Sequence, residues 1–554
     1  MRNNSTISIT INGIKVKASN GDILLNVLNE NGIKIPTLCH LKGHIPQYPC
    51  RICLVYNEID QTYIPSCSTI VSNGMSILTH TPSLIKKRQQ ILEMLLSSHP
   101  DDCLYCVKND ACHLRMLASE LSIDQRRFYV KNIKQNNDKS SAAIVREYAK
   151  CVLCGKCIEI CNQQQCHILQ FNYKGIESRV EPVLGKLLNQ SNCVYCGQCI
   201  MVCPTASLYE KENISAYYTS LDTVNNSTFA IISPLLEFDF SINLLNKSPR
   251  VRENQAISII KNSGANKIFN LNAGIDLYLN ELLHEFIKTK NKGNTLISGF
   301  CPSAEWYLKK MSLPDHYKIS KIQKPIQILQ QLLLTIFPNQ IFQIHSFTTC
   351  LAEKQLFSNQ VLKNKAFAYT VRELLKIKNA TSTSSIRNNF KTDEPFHLYS
   401  GLSFLPFIPG GLSEALARMI YQIKTQKDLE KDKLESFRNI EQFSIQTIVI
   451  EKQTYIFGII NGIGNVKKAL ENWKDKSIDF IEILACPNGC VMGGGSSFEH
   501  MQNFDLKSFE KQWYENVERA LIRYPQRNLQ LMSMLEEAKN KTNGEKNLLI
   551  NEDE

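Results

Sequence analysis

The sequence predicts a multidomain chain in which α+β units precede a large α/β unit, and three patterns predict it. Residues 1–80 alternate apolar and polar side chains (ISITING, IKVKAS) before an amphipathic stretch, DILLNVLNENG. Residues 126–215 hold two near-copies of one cysteine motif and little else. From about residue 225, apolar runs (TFAIISPLLEF, NKIFNLNA, NTLISGF, NQIFQIHSF, FIEILAC) alternate with amphipathic ones (IQILQQLLLTIF, GGLSEALARMIYQI), as buried and largely parallel sheets require.

Between these blocks, SLIKKRQQILEMLLSS places apolar residues at helical spacing. Residues 376–396 read as a polar loop, 424–443 as a charged helical surface segment, and the charged tail from about 541 as disordered. The 554 residues are 43% hydrophobic and 21% charged, ordinary for a globular protein. No apolar run approaches the roughly 18 residues of a membrane span, and the N-terminus has no apolar signal core. A cytoplasmic location is therefore expected, where 20 cysteines read as metal ligands before disulfides.

The spacing of the cysteines supports metal binding. Cys39, Cys50, Cys53 and Cys67 form C-x10-C-x2-C-x13-C, which suits a [2Fe–2S] cluster in a β-rich fold. It resembles the plant-type ferredoxin plan with a wider first gap. Zinc sites favour two close pairs instead. His99, Cys103, Cys106 and Cys112 form H-x3-C-x2-C-x5-C, which can hold zinc or a [4Fe–4S] cluster. Its place between two iron–sulfur modules favours the cluster. Cys151, Cys154, Cys157 and Cys161 form C-x2-C-x2-C-x3-C, and Cys193, Cys196, Cys199 and Cys203, followed by Pro204, repeat it. In such double motifs the fourth cysteine serves the other cluster. One set is then Cys151, Cys154, Cys157 and Cys203, and the other Cys193, Cys196, Cys199 and Cys161. Cys166 reads as a packed thiol.

The net charge of +11 is not a nucleic-acid signature here. Each four-thiolate cluster carries roughly −2, so five clusters bring the chain close to neutral. A small basic surface for an acidic electron carrier remains compatible with that balance. Four clusters in series relay single electrons. The first three cysteine sites resemble those of the large iron–sulfur subunit of NADH dehydrogenases as well as those of multi-cluster hydrogenases.

The C-terminal motifs are more specific. Cys301-Pro302, Thr349-Cys350, and Cys486-Pro487-Asn488-Gly489-Cys490 with Gly493-Gly494-Gly495 resemble the three cysteine motifs of the iron-only ([FeFe]) hydrogenases. Ile232-Ser233-Pro234, Leu271–Leu277, Tyr369–Leu374, Ser400-Gly401, Gly410–Leu416 and Gly462–Val466 also match that family. The resemblance implies that Cys301, Cys350, Cys486 and Cys490 bind a [4Fe–4S] cluster, with Cys490 bridging to a two-iron subsite. It further implies catalytic roles for Cys490, for Glu285 in a proton path, and for Lys354 as a cation near the subsite. The implied fold is a ferredoxin-like β-grasp domain at 1–82, a small cluster domain at 83–125 with one histidine and three cysteine ligands, and a double [4Fe–4S] domain at 126–215. An α/β hydrogenase-like domain at 216–540 and a tail at 541–554 complete it.

Departures from the family pattern fall together. Phe300 stands where the family has a proton-passing cysteine, and Glu353 where it has the lysine that holds anionic ligands of the two-iron subsite. Leu282 replaces one of two path carboxylates, Asn488 replaces a glycine, and Ser496 a glutamine. The expected function is an iron-only hydrogenase-family oxidoreductase that passes electrons through four accessory clusters to the hydrogenase-type cluster. Its hydrogen–proton interconversion is expected to be impaired or altered. The alternatives are an electron-transfer or redox-sensing subunit that lacks the two-iron subsite, and a relative of iron–sulfur assembly factors. The cofactors implied are one [2Fe–2S] and four [4Fe–4S] clusters. The partners implied are ferredoxin or flavin/NAD(P)H-oxidising iron–sulfur subunits, with no nucleic acid and no membrane span.

Overall fold

The computed structural model describes residues 6–41, 49–130, 136–222, 227–239, 249–358, 365–381, 391–498 and 505–541. The first unit is a five-stranded mixed sheet in the order Ile14–Ser19, Thr6–Ile11, Ser76–Leu78, Leu54–Asn57, Thr62–Pro65. Asn12 and Gly13 both take positive φ between the first two strands, as a two-residue hairpin with native twist requires. The helix Leu24–Glu30 covers one face, burying Leu24, Leu25, Val27 and Leu28 against Ile9, Ile11, Val55 and Ile77.

The helix Pro82–Leu96 starts where Thr81 accepts from the Leu84 N–H and Pro82 takes the first turn. Its Arg88 is buried and donates to the carbonyls of Leu54 (2.5 Å) and Thr79 (3.0 Å), tying the helix to the sheet. The repeated motif at 151–203 is visible in the backbone. Leu153 and Gly155 precede the helix Lys156–Gln163, and Tyr195 and Gly197 precede Gln198–Val202, all four with positive φ.

The largest unit contains two sheets. One is all parallel, in the order Lys267–Asn270, Ser227–Ile232, Phe342–Thr348, Ala366–Thr370. The other runs Tyr317–Ile319, Thr295–Ile297, Phe480–Leu484, Gln453–Asn461, Phe443–Ile450, parallel except for its last pair. Cys301, Cys350 and Cys486 each follow the carboxyl end of a parallel strand, where open α/β sheets place ligands. Glu482, buried in the strand before Cys486, accepts from the N–H groups of Gly410 (2.9 Å) and Ser413 (2.8 Å). It thereby caps the helix Gly411–Thr425.

Two expectations change. The charged stretch 424–443 is helical only where the helix Gly411–Thr425 ends and at Lys431–Glu435, and its end opens the strand at Phe443. The polar stretch from 376 begins inside the helix Val371–Ala380, started by a reciprocal Thr370–Glu373 cap. Its residues 382–390, and the tail after Lys541, lie outside the described residues. Among the described residues no helix is long and apolar enough to cross a membrane.

Asp276 joins two distant motifs: it is buried on the helix Asn272–Asn291 and accepts from Ser400 N (2.7 Å) and Oγ (2.6 Å). Burial pushes its carboxyl from 3.8 up to about 7. A folded-state pKa raised in this way gives stability that is full below about pH 4 and lost as pH rises through about 7. Asp276→Asn is therefore expected to flatten the fall in denaturation midpoint between about pH 4 and about pH 7. Parallel slopes for the two proteins would rule this out.

Candidate metal centres

The structure gathers the N-terminal cysteines as the spacing implied. Cys53 and Cys67 approach to 3.2 Å between sulfurs, and the Cys50 N–H donates to Cys39 Sγ at 3.4 Å. Hydrogen bonding from Cys39 holds the Cys50 thiol down to about 6, and Cys67 does the same for Cys53, to about 7. The same contacts push the Cys39 and Cys67 thiols well up, so each sulfur pair shares its proton unequally.

At the next site, His99 Nδ1 donates to the Pro100 carbonyl (3.0 Å), because a carbonyl can only accept. That bond fixes the tautomer and leaves Nε2 as the lone-pair nitrogen. Nε2 is buried and without a hydrogen-bond partner, as a metal ligand would be. Cys103 lies at the surface beside Leu104 and Tyr105, 87% and 89% exposed, whereas Cys106 is half-buried and Cys112 buried.

The two motifs lie against each other. The thiol of Cys154 lies in the field of Cys157, Cys203 and Cys151, and that of Cys199 in the field of Cys196, Cys193, Cys157 and Cys161. An apolar cavity of about 40 Å³ is lined by Cys161, Cys193, Cys196 and Cys199. Cys166 lines it too, so the cysteine outside every motif stands at the second set. Burial pushes Cys157, Cys193 and Cys196 up to about 12. Iron must displace those protons, so binding supplies the free energy that burial withholds.

Buried cations sit between the sets. The Arg146 guanidinium faces Cys151, Cys157 and Cys203, donating to Cys151 Sγ at 3.8 Å. Lys156 lies within the field of Cys154 and of Cys39 and Cys50. Lys108, hydrogen-bonded to the Cys203 carbonyl, feels Cys203 and Cys112. The first double-motif set therefore adjoins both N-terminal sites.

The second set adjoins the C-terminal one. Cys196 feels Cys301, and Cys486 feels Cys301, Cys196 and Cys350. Two glycines make this possible. A Cβ on Gly494 would stand 2.5 Å from Gly197 Cα and 2.6 Å from the Cys196 carbonyl oxygen. Gln198 Nε2 donates across the same seam to the Met492 carbonyl (3.0 Å). Arg372, buried and paired with Glu210 (2.8 Å), donates to the Gly494 carbonyl at 2.8 Å. Sequence reasoning singles out neither Gly197 nor Gln198 nor Arg372 as functional; the glycine that follows Cys196 is the available signal.

Cys490 faces Cys301, Cys486 and Cys350, completing the terminal set. Asn488 takes the place of a glycine with φ 63°, a left-handed conformation that asparagine tolerates, and its N–H donates to Asn461 Oδ1 (2.8 Å). Among the described residues no three His, Cys, Asp or Glu side chains converge on a single ion. Zinc at about 2.3 Å from each sulfur needs a tighter set than a multi-iron cluster does. Sets of four thiols, or of three with one imidazole, have the donor chemistry that iron–sulfur clusters take.

They do not fit a two-iron subsite of the ordinary kind. Phe300 is packed among Tyr278 and Phe407, with ring centroids at 5.6 and 5.8 Å. Glu353 is buried, accepts from Ser346 Oγ, and is raised by burial to about 7. Lys354 does not replace the missing cation. Its ammonium is fully buried against Glu373 (2.7 Å) and the Lys211 carbonyl (2.8 Å). Glu285 accepts from Ser320 Oγ (2.5 Å) and the Lys321 N–H (3.3 Å), while Leu282 on the same helix is wholly buried.

Fold and sites together define a multi-cluster iron–sulfur oxidoreductase. Residues 226–494 match the iron only hydrogenase large subunit, C-terminal domain. Residues 4–82 match a 2Fe-2S iron-sulfur cluster binding domain, 88–127 the NADH-ubiquinone oxidoreductase-G iron-sulfur binding region, and 150–207 a 4Fe-4S dicluster domain. The chain thus joins an iron-only hydrogenase-type C-terminal domain to NADH-dehydrogenase-like N-terminal iron–sulfur domains. It is 26% identical to the NADP-reducing hydrogenase subunit HndD of Solidesulfovibrio fructosivorans over 524 residues, covering 90% of this chain and 89% of the relative. It is 25% identical to iron hydrogenase 1 of Clostridium pasteurianum over 536 residues, covering 91% and 90%. The [FeFe]-hydrogenase of Chlamydomonas reinhardtii superposes with a TM-score of 0.45 at 17% identity, covering 59% of this chain and 94% of that one.

Gly494→Ala is expected to cost about 1–3 kcal/mol through overpacking against Gly197. Electron transfer between the Cys196 and Cys486 sets should slow, because the seam must widen. Stopped-flow reduction of the intact protein, with a melting curve alongside, checks this; wild-type rates in the variant would sink it.

Proposed function

We propose that this chain is an electron-carrying subunit. It would exchange single electrons between a ferredoxin or a flavin/NAD(P)H-oxidising iron–sulfur partner and the cluster held by Cys301, Cys350, Cys486 and Cys490. Hydrogen–proton interconversion would be impaired. The clusters supply one-electron chemistry when bound. The chain's own residues bury them, separate them by packed backbone, and place Arg146, Lys108 and Lys156 beside thiols whose negative charge rises on reduction.

The observation that carries this reading is the Lys354–Glu373 pair. With Glu353 facing Cys350 and Lys354 held elsewhere, the anionic subsite would meet a carboxyl where it needs a cation. Phe300 has no exchangeable proton, and positioned proton transfer contributes about 10²–10⁴ in rate. The name of the relative in Solidesulfovibrio fructosivorans, a subunit of an NADP-reducing hydrogenase, supports a multi-subunit setting. A working hydrogenase is the second reading, and the surviving Glu285–Ser320 bond favours it.

Infrared spectroscopy of protein matured with the hydrogenase assembly system separates the two. Full cluster loading without carbonyl and cyanide bands is the expected result, and clear bands with hydrogen evolution would overturn the proposal. A Phe300→Cys, Glu353→Lys double variant is expected to gain both bands and hydrogen evolution. No gain would place the lesion at other residues.

A further inference from the structure

Lys324 belongs to no motif, yet it is 5% exposed and its ammonium is inside the protein. It caps the amino end of the helix Pro325–Ile336, where the helix dipole disfavours a cation. Burying an ammonium there costs free energy unless other groups offset it. Two partners do so. The ammonium donates to the Gly299 carbonyl and to Glu305, itself 9% exposed. Glu305 sits on the helix Pro302–Leu308, which Cys301 caps, and Gly299 is two residues before that cysteine. The ammonium is thus wedged between the chain entering Cys301 and the helix leaving it. A Cβ on Gly299 would stand 3.5 Å from Nζ.

The charge acts on the terminal set. The two partners of Lys324, Gly299 and Glu305, flank Cys301 in the chain, so the ammonium stands beside that residue. Other charged groups around the set are mixed. Glu353 lies three residues past Cys350, and the buried Glu482 four residues before Cys486. Arg372 reaches the Gly494 carbonyl while paired with Glu210. Lys309 is joined to Glu305 at 3.1 Å from the half-exposed side.

We propose that Lys324, held by Glu305, is a positioning residue that sets the reduction potential of the terminal cluster from beneath Cys301. It deepens the reading that these four cysteines hold a [4Fe–4S] cluster and rests on it. Adding an electron adds negative charge, which a nearby cation stabilises, so Lys324 raises the potential. Glu305 neutralises part of that charge and lowers the potential.

The two side chains therefore predict shifts of opposite sign. EPR-monitored redox titration of the reconstituted full-length chain reads the terminal cluster as the signal that Cys486→Ala removes. Lys324→Met should move its midpoint negative by on the order of 59 mV, a tenfold change in oxidised-to-reduced ratio. Glu305→Gln should move it positive, and Lys324→Arg should leave it near wild type. The other four midpoints serve as internal references. Shifts of one sign in both variants, or none, would overturn the proposal, since a purely structural staple gives no sign reversal. If Lys324→Met loses the cluster, the Glu305→Gln shift alone decides. A wild-type protein with no signal removed by Cys486→Ala would instead defeat the underlying cluster assignment.

Discussion

The close approach of Gly197 to Gly494 is the constraint on which the rest of the molecule depends. Side chains on either residue would hold the double-motif domain away from the terminal set, because each Cβ would fall within 2.7 Å of the opposite Cα. Gly464 repeats the device a short way off, lying against the Gln163 carbonyl at the end of the helix that carries Cys157 and Cys161. Backbone thus meets backbone at two places between the relay and the α/β unit. Electron transfer rewards that arrangement, since it shortens the gap between clusters and leaves no room for water or side-chain motion. Gln198 and Arg372 then lock the seam with hydrogen bonds to the Met492 and Gly494 carbonyls.

Charge is the second constraint. A chain that buries this many thiolates must import iron and surround it with cations. Arg146 is the clearest case: a guanidinium with Nε and Nη1 lacking hydrogen-bond partners makes sense beside Cys151 and Cys157 and nowhere else in a protein interior. Arg146, Lys108 and Lys156 place part of the chain's net charge of +11 beside the cysteine sets.

The legible part of the sequence was the part governed by spacing. Cysteine intervals pointed to which thiols the structure brings near one another, because a repeated motif folds its two copies alike. Alternating polarity marked the N-terminal sheet, and apolar runs marked the parallel strands. What stayed hidden were contacts between residues far apart in the chain. Nothing near Lys354 in the sequence points to Glu373, and nothing near Lys324 points to Glu305. The end of the helical stretch 371–380 reads as loop, because its polar composition hides a cap formed by Thr370 and Glu373. Cys166 looks isolated by spacing, yet the turn after Cys161 carries it back to the same cavity.

The pattern of loss and retention now has a physical shape. Proton delivery and electron delivery reach the terminal set from different sides and use different chemistry. Proton delivery needs a chain of exchangeable groups, and neither Phe300, packed on Tyr278 and Phe407, nor the buried Leu282 carries one. Electron delivery needs only short gaps and compensated charge, and both survive. The outer Glu285–Ser320 bond persists because it also anchors the Ser320–Lys324 segment, where Ser320 backbone joins Ile297 on the neighbouring strand. A structural duty of this kind holds a carboxylate in place whatever chemistry it serves, so the Glu285–Ser320 bond says less about hydrogen turnover than the buried Lys354–Glu373 pair does.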